Sequence, residues 1–138
     1  MALALPVLLA GQVIIGATPA AADTLPGPPY IDHTSWVRNG GSGGLTSLRV
    51  FPTRAGRAVA GDIGKTAAQT DEAWREVLAL APGAGTPGMR DQFVCHWNFA
   101  EFAEPGKSSW DLEPWRPVVD GNTMTLAGCN PGGADTRF

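Results

Sequence analysis

An α+β fold is what this sequence predicts: an antiparallel sheet of about four strands in two hairpins, two helices packed on one face, and one disulfide. Three observations lead there. Two alternating apolar stretches flank NGGSGG, residues 39–44, which forms only a turn. Two stretches of helical period follow back to back, and an Asp-Gly pair then divides a last apolar segment. The order strand, strand, helix, helix, strand, strand is satisfied most simply by one layer of helices on one sheet.

The first 22 residues carry no charged side chain. The apolar run LALPVLLAGQVIIGA leads to Ala20 and Ala22 in the small-x-small spacing of a signal peptidase site, so 1–22 is expected to be a secretory signal peptide cleaved after Ala22. The basic start of such signals is missing, which predicts a true start upstream of Met1. A membrane-spanning helix is the rival, but Pro6, Gly11 and Gln12 break a run that is already short for one. Membrane contact is therefore expected only through the signal before cleavage. Residues 23–29 form a stiff Pro-rich tether, 30–133 a single domain, and 134–138 a C-terminal tail.

YIDHTSWVR (30–38) and LTSLRVF (45–51) alternate as strands, and Pro52 ends the second. FPTRAGRAVAGDIGK, rich in Gly and Ala, is expected to be a loop carrying Arg54 and Arg57. Residues 66–80 form the clearest helix: Trp74, Val77, Leu78 and Ala81 share a face, Thr66 or Thr70 caps it, and Pro82-Gly83 stops it. The next helix begins with Thr86 as N-cap and Pro87 as first residue, buries Met89, Phe93, His96, Trp97 and Ala100, and ends at Pro105-Gly106. Alternation of Phe93, Cys95, Trp97 and Phe99 also fits a strand there. Val118, Val119, Asp120-Gly121 and TMTLAGC (123–129) complete the expected second hairpin.

Net charge is −3, with Lys and Arg scattered among 13 acids, so no basic stripe exists to neutralise phosphates and no nucleic-acid role is expected. The two cysteines, in an exported chain, most simply form the disulfide Cys95 to Cys129. A free thiol or a metal site is the alternative, but with His33 and His96 the cysteines lack zinc-type spacing, so no metal and no cofactor is expected.

Chemistry is sparse. In WDLEPWRP (110–117), exposed Trp110 and Trp115 beside Glu113 and Arg116 would stack on sugars, with Arg54 and Arg57 near by. The plainer reading has both indoles in the core and Glu113 paired with Arg116 or Arg90. Asp111 and Glu113 stand too close in sequence to straddle a scissile glycosidic bond. His96 is a candidate general base with Asp91 or Glu113, although its spacing puts it on the apolar helix face. The Cys-x-x-His-Asp arrangement of secreted phospholipases A2 is absent, and Ser42, Ser108 and Ser109 lie in no nucleophile elbow.

FPTRAGR, AW with EVL close behind, TPGMRDQFVCHW, W-x-LEPWRP and CNPGG in this order resemble a family of small exported actinobacterial proteins known as a domain of unknown function. The resemblance spans most of residues 45–133. It implies an exported domain whose cysteine pair is bridged, with no assigned activity, substrate or cofactor. The expected function is non-catalytic binding at the cell envelope or outside the cell, with a polysaccharide or a secreted protein as partner. A protease inhibitor broadly like the subtilisin inhibitors is one version, and a small hydrolase built on His96 is the rival.

Overall fold

A computed structural model describes residue 16 and residues 24–39 and 45–133 of the chain. Apart from residue 16, the expected signal peptide lies outside the described residues, as do the turn at 40–44 and the tail at 134–138. Strand β1 (Ile31–Asn39) pairs antiparallel with β2 (Leu45–Pro52), as the alternation predicted. Asp32 is an extra residue in this ladder, since Ile31 pairs with Pro52 and His33 with Phe51. The third strand, β3 (Trp110–Leu112), comes from the WDLEPWRP stretch and pairs antiparallel with β2. The sheet order is β1-β2-β3.

Four α-helices accompany the sheet among the described residues: α1 (Arg54–Ala60), α2 (Ala67–Leu80), α3 (Met89–Ala103) and α4 (Gly121–Leu126). Thr66 caps α2 with a full capping box, its hydroxyl taking the Gln69 N–H while the Gln69 side chain takes the Thr66 N–H. The alternative strand at 92–99 is not adopted. The start of α3 differs from expectation: it begins at Met89 behind Gly88, which has a φ of 84°. That left-handed cap is open to glycine at little cost and Thr86 and Pro87 stay outside the helix.

Two expectations are corrected. The segment after Pro52 is helix α1 rather than loop, because Thr53 caps it by accepting the Gly56 N–H at 2.9 Å. Its glycine gave the segment a loop-like composition but serves packing: a Cβ on Gly56 would collide with the Tyr30 carbonyl oxygen. The second hairpin is absent, and its place is taken by α4. Asp120-Gly121 opens that helix instead of turning a hairpin, with Asp120 Oδ1 accepting the Thr123 N–H at 2.9 Å and Oδ2 the Thr123 hydroxyl at 3.1 Å. These bonds hold the Asp120 carboxyl below its usual range.

The core lies where α2 and α3 meet the face of the sheet that carries Leu48, Val50, Trp110 and Leu112. Phe93 sits at its centre, with ring centroids 5.5 Å from Trp74, 5.9 Å from Trp97 and 6.2 Å from Trp110. A smaller cluster of Cys95, Val119, Met124 and Cys129 joins α4 to the back of α3. Its bond is the disulfide Cys95–Cys129, which the sequence predicted. The C95S/C129S double variant is expected to lose on the order of 4 kcal/mol, the chain-entropy value for a bridge spanning 34 positions. Urea unfolding checks this, and amide exchange should rise first at residues 119–130, since the main core does not depend on the bridge.

Candidate functional site

Two features of α3 decide what its side chains do. Gln92 and His96 stand one turn apart, and β3 is an edge strand whose far side is turned toward them. In an antiparallel strand the N–H and C=O of alternate residues point to one edge. Those of Trp110 and Leu112 face β2, so those of Asp111 and Glu113 face α3. Gln92 answers as a strand would: its Oε1 accepts the Glu113 N–H and its Nε2 donates to the Glu113 carbonyl, both at 2.9 Å. His96 completes the edge, with Nε2 3.2 Å from the Asp111 carbonyl oxygen.

That contact fixes the state of His96. A carbonyl oxygen only accepts, so Nε2 carries the proton and donates, leaving Nδ1 bare. Nδ1 has no hydrogen-bond partner among the described residues. The ring is 1% exposed, and burial pulls its pKa from 6.5 down to about 4, helped by the charges of Lys107 and Arg116 and opposed by the Asp111 carbonyl. No atom of His96 is open to a substrate in this state. Asp91 is exposed on the first turn of α3, on a different face from the buried ring.

Glu113 is spent in the same seam. Its side chain is buried, takes the Ser47 hydroxyl at 3.0 Å and forms an ion pair with the Arg116 Nε. Arg116 also donates Nη1–H to the Pro131 carbonyl at 3.1 Å and lies over the Trp115 ring at 4.5 Å. Trp115, half-buried, donates Nε1–H to the Thr46 carbonyl at 3.1 Å. Trp110 is fully buried and offers no face for stacking. The plainer reading of this stretch holds for Trp110 and for Glu113, which pairs with Arg116 while Arg90 pairs with Asp71 at 2.7 Å, but not for Trp115, which lies outside the core cluster. Arg57 clamps α1 to α3 through Glu101 at 2.6 Å and reaches the Ser108 carbonyl at 3.1 Å, whereas Arg54 is exposed at the start of α1. Asp111, pushed up in pKa by burial, faces Arg49 at 3.8 Å on the outer side of the sheet.

Three of the motifs that carry the family resemblance thus meet in one seam: Gln92 and His96 from TPGMRDQFVCHW, Glu113 and Arg116 from WDLEPWRP, and Pro131 from CNPGG. Residues 31–132 match the family described as "Protein of unknown function (DUF2599)". The chain belongs to this family. It is similar to an uncharacterized protein of Mycobacterium tuberculosis, 49% identical over 129 residues that make up 94% of this chain and 80% of the relative. An uncharacterized protein of Mycobacterium bovis matches to the same extent. One from Mycobacterium leprae is 46% identical over 104 residues, 75% of this chain and 80% of the relative. No solved structure matches the chain. The resemblance drawn from the motifs is therefore the right one.

The disulfide of this DUF2599 fold fits a location outside the cytoplasm. No helix among the described residues is long and apolar enough to cross a membrane. No group of three or more His, Cys, Asp and Glu is placed to hold a metal ion among those residues either.

With the seam closed, an open concavity lies elsewhere. A groove of about 430 Å³ runs between α3 and α4, above the disulfide. Val94, Phe99, Val119 and Met124 give it an apolar floor, and Arg90, Asp91, Asn98, Asp120 and Thr125 ring it with polar groups. Phe99 is 40% exposed. Sequence reasoning missed this groove because it exists only where α4 replaces the expected hairpin. The i, i+4 spacing of Gln92 and His96 was the signal available for the seam.

The buried neutral ring sets a pH dependence. Between pH 6.5 and about 4 the unfolded chain binds a proton at His96 that the folded chain refuses. Its contribution is therefore complete above pH 6.5 and is lost as pH falls toward 4, by about 3 kcal/mol in all. In NMR the His96 ring should stay neutral down to about pH 5. His96→Gln, which keeps a donor near Nε2, should remove this part of the pH dependence at small cost, while His96→Ala should cost roughly 2–4 kcal/mol at pH 7. A free titration near the ordinary value would overturn this account.

Proposed function

We propose that the chain is an exported, non-catalytic binding domain that takes envelope or extracellular polysaccharide in the groove between α3 and α4. The observation that carries this reading is the lining of the groove. An exposed aromatic ring, Phe99, lies beside two carboxylates and an amide, those of Asp91, Asp120 and Asn98. Aromatic faces stack on the C–H faces of sugar rings, and carboxylates and amides take up their hydroxyls. The groove opens to solvent, which suits a chain lying along it better than a small molecule sealed within.

The sequence-based surface moves accordingly. Trp110 and Arg57 hold the fold, so the WDLEPWRP loop acts behind the groove by fixing α3 rather than by touching ligand. Export is supported by the uncharged apolar run at 1–22 and by the bridge, with cleavage after Ala22 and a single domain over 30–133. The hydrolase alternative has the sealed ring of His96 and the paired carboxylate of Glu113 against it.

The test is an NMR titration of oxidised residues 23–138 with soluble fragments of cell-wall polysaccharide. Amide shifts are expected at Val94, Asn98, Phe99 and Met124, and Phe99→Ala should weaken binding about tenfold with little change in melting temperature. Shifts confined to another surface, or none with any polysaccharide, would sink the proposal. Recovery of the chain from the cytosol with both thiols reduced would sink the export part.

A further inference from the structure

The sheet has a second edge, and its state follows from the first. Leu48 and Val50 direct their backbone groups to β3, so Ser47, Arg49 and Phe51 direct theirs to β1. Their partners Val37, Ser35 and His33 complete those bonds. Thr34, Trp36 and Arg38 must then present N–H and C=O outward. The extra residue Asp32 reverses this alternation at the start of the strand, where the outward N–H of Ile31 is capped by Glu76 at 2.7 Å. No such cap serves Thr34, Trp36 or Arg38, and none has a backbone partner on that side among the described residues. Trp36 is 44% exposed. From Asp32 to Asn39 the strand carries no Pro or Lys, and its bulge guards only the Asp32 end of the edge.

We propose that this edge pairs with the same edge of a second copy, antiparallel about a two-fold axis at Ser35, joining two sheets into one. The register follows from the strand itself. About Ser35, Thr34 falls opposite the partner's Trp36, and both are outward residues, so each pair exchanges N–H···O=C bonds in both directions. An aromatic then faces a β-branched side chain, and the two indoles become diagonal neighbours that cover one another. Charge selects the same arrangement. Asp32 and Glu76 stand at one end of the strand and Arg38 at the other. Asp32 holds His33 through Oδ2 at 2.6 Å, which leaves Oδ1 for a cation. Antiparallel pairing brings Arg38 to the acidic end of the other copy twice over. Parallel pairing would set like charge against like. The closed two-fold arrangement leaves no edge to propagate a fibre. The surface is separate from the α3–α4 groove and stands whether or not that groove binds sugar.

The experiment is light scattering of the oxidised chain over a dilution series up to millimolar protein, joined to cross-linking of an S35C variant. A dimer mass is expected, with S35C forming an intermolecular disulfide because Ser35 meets its own copy on the axis. T34P, which removes an outward N–H while sparing the β1–β2 ladder, should return the mass to that of a monomer and abolish the cross-link. R38E, on an exposed side chain, keeps the test open if T34P does not fold and should raise the dimer midpoint by roughly tenfold. A monomer at every concentration would overturn the proposal. So would a dimer that neither variant weakens, an S35C chain that fails to cross-link, or a monomer whose β1 edge is protected only on adding an unrelated extended peptide.

Discussion

The amide of Gln92 is bonded twice to the backbone of Glu113, and most of the structure follows from that pair of contacts. A strand three residues long that lies at the side of a sheet has unpaired peptide groups on its far edge, and here that edge is inside the protein. Water cannot reach it, so each group left alone would cost about 1–3 kcal/mol. A helix cannot offer a second strand, but a carboxamide has the donor and acceptor of a peptide group in nearly the same spacing. Gln92 and His96, one turn apart, therefore let α3 stand where a fourth strand would otherwise be required. The sheet can therefore end at three strands with a helix on its far edge.

The same turn of α3 serves three directions at once. Phe93 and Trp97 enter the aromatic core, Gln92 and His96 hold β3, and Cys95 points away to α4. His96 lies wholly inside these contacts, and burial is why the one buried histidine is neutral. It is a positioning group with a single hydrogen-bond contact, and the positive charges of Lys107 and Arg116 add to the effect of burial. The Glu113–Arg116 pair is sealed in a similar manner. Buried pairs of this kind contribute little over an apolar filling, yet breaking one from a single side leaves a lone charge and costs about 3–5 kcal/mol. The loop is thereby specified more strongly than it is stabilised.

Where the sequence was legible, a single local cause sufficed. Thr66 and Gln69 form a capping box, and Trp74 and Val77 share the buried face behind it. The hairpin of β1 and β2 follows from alternation, and the bridge from the only cysteines present. It was misleading where one residue pattern serves two structures. Asp120-Gly121 is both a hairpin turn and a helix start, and Thr123 decides between them by bonding back to Asp120. Gly56 is both a loop residue and a close-packing residue, and only the distant Tyr30 carbonyl shows which. Trp110 and Leu112 alternate with Asp111, but three residues do not name a strand without the partner β2, some sixty positions earlier. The groove was hidden because it needs α4, which the bridge then draws against α3.

The bridge has one further consequence. It joins the middle of α3 to the residue just past α4, and between its ends lies the exposed turn at Glu104–Gly106. A protease that cut the chain there would release nothing. The two pieces would stay covalently attached, with β3 still zipped to β2 and its far edge still held by Gln92. The nick would show only after reduction, so the fold would tolerate a broken backbone at this exposed turn.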